Sequence, residues 1–184
     1  MEIAEGVLST LSHELITRLA RYRHHVFVER LGWPLPSQGG MEFDQFDRPD
    51  TLHVIAMKDG QRIVGSARLL PTTRPYLLGE VFPQLLCGSP VPRSEDVWEL
   101  SRFAALDPQA AAGAPQGQFS SPIAVALLKA VLRAAARQRA KRVITVSPLG
   151  VERLLRRAGF RARRAGPPMV AHGQPVFACW IDTH

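Results

Sequence analysis

Two short segments of this chain mix charge so closely with aromatic and apolar residues that the fold must bury charge, and therefore must pair it. Glu42-Phe43-Asp44-Gln45-Phe46-Asp47 alternates acids with two phenylalanines, and Val97-Trp98-Glu99-Leu100-Ser101-Arg102-Phe103 sets Glu99 and Arg102 in an otherwise apolar run. A charge taken out of water without a partner is strongly destabilising. Arg23, with Phe27 and Trp33 behind it, and Arg68 supply the complement. The economical arrangement is one polar cavity in which Asp44, Asp47 and Glu99 face Arg23, Arg68 and Arg102 and a charged ligand.

The rest of the pattern says what frame carries these groups. Leu8, Leu11, Leu15, Leu19 and Tyr22 recur at helical spacing, which predicts a helix from Leu8 to about Leu31, ended by Gly32-Trp33-Pro34. Leu35 to Pro49 reads as a loop. Asp59-Gly60 between two β-rich runs, 51–58 and 61–70, predicts a hairpin. Pro71 to Pro92 reads as irregular, and Val97 to Ala105 as a third strand. A small-residue loop over 110–118 leads into a helix from Ser121-Pro122 to about Lys141, with Pro at the first turn. A buried strand over 142–147, a short helix over 151–158 closed by Gly159, and a last strand over 175–182 complete the order. Antiparallel strands first, then strand, helix, strand, helix, strand, predict an α+β fold with helices packed on one sheet. Residues 1–184 read as a single domain.

Composition excludes several classes. No apolar run reaches the roughly 18 residues of a membrane span. The start shows neither the basic nor the apolar region of a secretory signal, and Cys87 and Cys179 read as reduced thiols, so a cytoplasmic location is expected. No metal-ligand spacing is present. The net charge of +7 is unevenly spread: residues from Gly117 onward hold 12 Lys and Arg against 2 acids, and those before it 11 against 14. A positive field confined to the last third suits an acidic partner, whether nucleic acid, membrane surface or acidic protein. The basic residues lack interleaved aromatics and any helix-turn-helix or zinc pattern, which disfavours nucleic acid. His24 and His25 flank Arg23 with no acid partner evident in the sequence.

Arg23-x3-Phe27-x5-Trp33, Asp44-x2-Asp47, Arg68 after Gly-Ser-Ala, and Glu99-x2-Arg102 together resemble the LuxI-type acyl-homoserine-lactone synthases, the autoinducer synthases of bacterial quorum sensing. The flanking Ala67-Arg68-Leu69-Leu70-Pro71-Thr72-Thr73 and Trp98-Glu99-Leu100-Ser101-Arg102-Phe103 extend the likeness over nearly the whole chain. The resemblance implies a three-layer α/β/α sandwich whose mixed, largely antiparallel central sheet has helices on both faces, as in the GCN5-related N-acyltransferases. It implies S-adenosylmethionine as co-substrate, no permanently bound cofactor, and an acyl carrier protein as acyl donor. The methionyl amine would be acylated and the lactone then closed, releasing methylthioadenosine.

Carried onto this sequence, the resemblance makes Arg23, Phe27, Trp33, Asp44, Asp47, Arg68, Arg102 and Phe103 the residues around S-adenosylmethionine. Arg23 or Arg102 would meet its carboxylate, and Asp44 and Asp47 its cationic groups. Phe27 and Trp33 would offer aromatic faces. Glu99 is the candidate general base, with Arg102, Arg23 and Asp47 completing the catalytic set. Backbone amides near Arg102, Phe103 and Ala104, beside a bulge, would stabilise the tetrahedral oxyanion. Leu100, Leu127, Val143, Thr145, Val146 and Ser147 would line the acyl chain. Thr145 matches a position where the family tends to carry Thr for 3-oxo chains. Arg133, Arg137, Arg153 and Arg157 would dock the acidic carrier. The competing assignment is a coenzyme-A-dependent N-acyltransferase of the GCN5-related kind, whose pyrophosphate turn 112–117 fits poorly.

Overall fold

The Asp59-Gly60 turn forms as its composition requires. Both residues take positive φ, 52° and 71°, and Gln61 N donates to Lys58 O at 3.3 Å. This two-residue turn joins β4 (Leu52–Lys58) to β5 (Arg62–Pro71). The computed structural model describes residues 1–109, 121–171 and 173–184. The small-residue loop expected over 110–118, and the 112–117 turn with it, lie outside the described residues.

The chain divides into two compact units, one comprising 1–68 and 102–127, the other 69–101 and 128–184. In the first, strands run in the order β1 (Glu2–Val7), β4, β5, then the end of β6 (Val97–Ala104). β1 pairs antiparallel with β4, from Glu2 opposite Met57 to Val7 opposite Leu52. A separate short hairpin joins β2 (Ser37–Gln38) to β3 (Met41–Glu42).

The first helix, α1 (His13–Arg23), starts later than its leucine spacing suggests, because Ser12 Oγ accepts from Leu15 N and fixes the cap there. Leu8 and Leu11 fall before it. The helical turns then widen into a π-helix over His24–Arg30. Leu19, Tyr22, Val26 and Phe27 from these turns pack with Ile55, Ile63 and Ala104 into the core of this unit. The wide turns also bring both histidines to one acid, with His24 Nδ1 3.3 Å and His25 Nδ1 2.7 Å from Glu29. The acid partner not evident in the sequence is therefore Glu29, whose carboxyl the His25 hydrogen bond holds below its ordinary range.

In the second unit the strand order is β5, β6, β7 (Arg142–Pro148), β10 (Gln174–Asp182), β8 (Ala162–Arg164), with β9 (Met169–Ala171) also on β10. β6 and β7 are parallel, and the β7, β8 and β9 pairings with β10 are antiparallel. The result is the mixed, largely antiparallel sheet expected. The stretch read as irregular holds a short helix, α2 (Leu77–Val81), and a 3-10 turn over Pro83–Leu86. Thr72 Oγ1 ties it down by donating to Val97 O at 2.8 Å and accepting from Ser94 N at 3.1 Å. Helices α3 (Pro122–Arg137) and α4 (Val151–Arg157) begin where the sequence places them, but α3 ends short of the expected Lys141, with Arg139 in left-handed backbone.

Candidate active site

The acids and arginines of the first unit close on one another. Arg23 donates through Nη1 and Nη2 to Asp47 at 2.7 and 2.9 Å, and through Nε to Glu42 at 2.6 Å. Arg68 grips Asp44 at 2.6 and 3.1 Å and lies 3.2 Å from Asp47. Arg102 reaches Glu42 at 3.0 Å and Asp44 at 2.8 Å through Nη2. Three guanidinium and three carboxylate groups thus balance, all of them buried or nearly so. Glu42, fully buried, is the residue missed by sequence reasoning. Glu42 opens the same acid–aromatic alternation that holds Asp44 and Asp47, and that alternation is the signal for it.

Each guanidinium also lies over a ring: Arg23 over Phe43 at 6.0 Å, Arg68 over Phe46 at 5.7 Å, and Arg102 over Phe27 at 5.7 Å. The alternation of acid and phenylalanine in 42–47 therefore gives every arginine a carboxylate and gives Arg23 and Arg68 a π-face, while Phe27 supplies that of Arg102. Local turns set the acids in place: Asp44 N donates to Asp47 Oδ2 and Phe46 N to Asp44 Oδ1, both at 2.9 Å.

This pairing decides which groups remain to meet a ligand. Asp47 Oδ1 faces Arg23 and Arg68, and its Oδ2 faces Arg23 and the Asp44 amide. Asp44 Oδ1 faces Arg68 and the Phe46 amide, and its Oδ2 Arg68 and Arg102. Both acids expected to hold cationic groups thus already accept two donors at each oxygen. Arg23 has Nε, Nη1 and Nη2 engaged, whereas Arg102 uses Nε and Nη2. Arg102 also sits in left-handed backbone, φ 50°, inside β6, with its carbonyl accepting from Ser66 Oγ at 3.1 Å. That conformation is strained for a side chain with Cβ, and the Glu42 and Asp44 pairs hold it.

Burial opposes charge on Asp47, but Arg23 and Arg68 overcome it and keep the carboxyl well below its ordinary range. On Arg23 burial likewise works against charge, and Asp47 and Glu42 outweigh it, raising the pKa. A further buried titratable group joins them. His53 on β4 has Nε2 3.8 Å from Asp47 Oδ1, and this atom has no hydrogen-bond partner among the described residues. Burial foremost, with the Arg23 and Arg68 cations against the pull of Asp47 and Asp44, brings its pKa down to about 4. An unfolded histidine protonates near 6.5, so between pH 6.5 and about 4 the unfolded chain binds more protons and stability falls as pH falls. The loss is about 3 kcal/mol across that window. His53→Gln is expected to flatten the dependence of the urea midpoint between pH 7 and 4.5. An unchanged slope would place the titration elsewhere.

The aromatic pair is stacked on itself, Phe27 and Trp33 lying 5.1 Å apart at 24°. Phe27 is fully buried and Trp33 is 38% exposed, so Trp33 offers the open ring face. Phe103, in the same unit, is buried.

Glu99 belongs to the second unit. It is fully buried, and its carboxylate accepts from Leu77 N at 2.9 Å and Leu78 N at 2.6 Å, at the start of α2. Of the acyl-chain candidates, Leu100 pairs in register with Thr145, and Val143 and Ser147 alternate onto the same face of β7. Val146 falls on the opposite face, with Ile144, which pairs with Glu99. Leu127, in the first unit, is fully buried. Among the described residues, Thr145 Oγ1 makes only a long 3.4 Å contact with Val146 O. Arg133, Arg137, Arg153 and Arg157 are all exposed on α3 and α4. Among the described residues no helix is long and apolar enough to cross a membrane.

The Autoinducer synthase family matches residues 8–184 of this chain. An acyl-homoserine-lactone synthase of Acinetobacter nosocomialis is 52% identical over 182 residues, covering 99% of this chain and 100% of that protein. The crystal structure of TofI in a ternary complex with an inhibitor and MTA is 44% identical, with a TM-score of 0.85 over 100% of this chain and 92% of that one. BjaI, described as a CoA-dependent acyl-homoserine lactone synthase and solved with SAM and isopentyl-CoA, is 26% identical, with a TM-score of 0.83 over 99% and 82%.

Proposed function

The chain belongs to the autoinducer synthase family, an acyltransferase class, and we propose that it acylates the amine of S-adenosylmethionine from an acyl carrier protein and then closes the homoserine lactone. The observation that carries the site assignment is the closed network of Arg23, Arg68 and Arg102 with Glu42, Asp44 and Asp47. TofI with MTA and BjaI with SAM support S-adenosylmethionine as the co-substrate.

The roles divide by what each group has left to give. Arg102 is the cation for the methionyl carboxylate, because one of its terminal nitrogens, Nη1, is not taken up in the network. Asp44, Asp47 and Arg23 act by orienting Arg102 and setting the local field rather than by direct contact through lone pairs already filled. The open face of Trp33 takes the adenine or sulfonium. Glu99 draws the proton from the methionyl ammonium, directly or through a water, so that the free amine attacks the thioester carbonyl. Backbone amides beside the left-handed Arg102 receive the developing oxyanion. The thiol leaves with the carrier, and the methionyl carboxylate then displaces methylthioadenosine from its γ-carbon to form the lactone. The face bearing Leu100, Val143, Thr145 and Ser147 lines the chain, and the Thr145 hydroxyl, bound only weakly at home, is free to donate to a 3-oxo group.

The donor is tested by giving the purified protein S-adenosylmethionine with octanoyl or 3-oxohexanoyl carrier protein, the same chains on coenzyme A, or acetyl-CoA. Methylthioadenosine and lactone are expected with the carrier-bound chains at the highest kcat/KM. Turnover with the coenzyme A thioesters alone would replace the carrier by coenzyme A as donor.

A further inference from the structure

The second unit exposes an apolar strip that neither its core nor the chemistry above uses. Val170 is 76% exposed, Leu149 47% and Met169 41%. Strand register brings Val170 and Leu149 together around one exposed proline, Pro175. Val170 pairs with Pro175, whose carbonyl accepts from Leu149 N at 3.3 Å, whereas Met169 and Pro148 pair with Val176 and alternate onto the other face. Most monomer surfaces scatter such residues singly, and a contiguous strip marks a contact surface.

The charges beside the strip select what it contacts. Leu149 and the cap residue Gly150 lead directly into α4, where Arg153 and Arg157 stand four residues apart, both exposed. The only acid of α4, Glu152, is already taken by Arg156 at 3.0 Å and Arg164 at 2.8 Å. Arg153 and Arg157 have no acid partner among the described residues. A second copy of this chain would set these arginines against their own equivalents, and the last third of the chain holds just one other acid, Asp182, to relieve them. An apolar centre edged by unneutralised arginine is the make-up of a heterologous protein interface. Its complement is a surface that carries acids around an apolar ridge.

We propose that Leu149, Val170 and Pro175 form the apolar anchor of the surface that docks the acidic acyl carrier, with Arg153 and Arg157 as its charged edge. This rests on the carrier-dependent reading above and adds to it an uncharged contact that salt does not screen. The arginines govern encounter, and the strip governs how long the carrier stays.

The test is steady-state kinetics of the full chain with an acyl carrier protein and S-adenosylmethionine, comparing wild type, a Leu149→Ser/Val170→Ser double variant, and an Arg153→Glu/Arg157→Glu double variant. The serine variant is expected to raise the carrier KM roughly tenfold, equally at low and high salt, with the S-adenosylmethionine KM and kcat unchanged. The glutamate variant is expected to raise it strongly at low salt and little at high salt. A carrier KM within twofold of wild type in the serine variant overturns the anchor while leaving carrier use intact. Equal rises in both KM values overturn it by showing a general distortion. Binding of the wild type to anionic phosphatidylglycerol vesicles, lost in the serine variant while its carrier KM holds, overturns it in favour of a membrane contact. Failure of the wild type to use any carrier-bound chain overturns the donor reading itself.

Discussion

Glu42→Ala is expected to lower the stability of the fold by about 3–5 kcal/mol, the cost of leaving buried charge without its partner. Glu42 is fully buried and takes Arg23 Nε at 2.6 Å and Arg102 Nη2 at 3.0 Å. Its removal leaves Arg23 with Asp47 and Arg102 with Asp44, both already shared, and an excess positive charge inside the unit. Glu42→Gln keeps the volume and one acceptor, and should fall between wild type and alanine. Urea unfolding followed by circular dichroism at pH 7 checks the order. A loss under about 1 kcal/mol for the alanine variant would mean that water reaches the network and screens it. The same variant should lose turnover by more than its unfolded fraction explains, because Glu42 helps to hold the left-handed backbone of Arg102.

The second large effect is expected at Glu99. Glu99→Gln should lower kcat by about 10²–10⁴, the usual contribution of a general base, with little change in the KM of S-adenosylmethionine. The substitution also separates chemistry from architecture. The carboxylate accepts the amides of Leu77 and Leu78 at the start of α2, and glutamine retains one oxygen for them. A purely architectural Glu99 would show its loss in the unfolding midpoint, with activity per folded molecule near normal. A base would show an acid limb in the wild-type kcat profile that disappears in the variant. Activity of the folded variant within about threefold of wild type would remove Glu99 from the proton-transfer step, for which a factor of at least about 10² is expected.

How much of this was legible in the sequence depends on the range of the forces involved. The hairpin at Asp59-Gly60 was readable because its turn is dictated by two residues that tolerate positive φ. The helices α3 and α4 announced themselves through Pro122 and Gly159 at their ends. By contrast β1, Glu-Ile-Ala-Glu-Gly-Val, is an edge strand with weak alternation, and its pairing with β4 some fifty residues away specifies it. The helical phase of Leu8 and Leu11 concealed the Ser12 cap, and no spacing rule signals a π-helix, whose widened turns follow from packing.

The site shows the same division. That charges set among aromatics must find partners was evident, and Arg23, Asp44, Asp47, Arg68 and Arg102 do meet. Beyond that expected pairing, Glu42 and the turn amides add donors and acceptors that fill both oxygens of Asp44 and Asp47. Glu42 opens the acid–aromatic run, but its partners follow only once the β2–β3 hairpin carries it inward, and His53 looks like an ordinary strand residue until β4 sets it near Asp47. Both depend on contacts distant in sequence, which residue type alone does not encode. The apolar strip at Leu149 and Val170 was equally hidden, since exposure is a property of the assembled strands.

The most direct test of the account is mass spectrometry of the medium from a host, free of endogenous acyl-homoserine lactones, that expresses this chain. Acyl-homoserine lactones dominated by one medium chain length are expected, absent with empty vector and with Glu99→Gln. Abundant folded protein without any lactone in medium or cells would contradict the account.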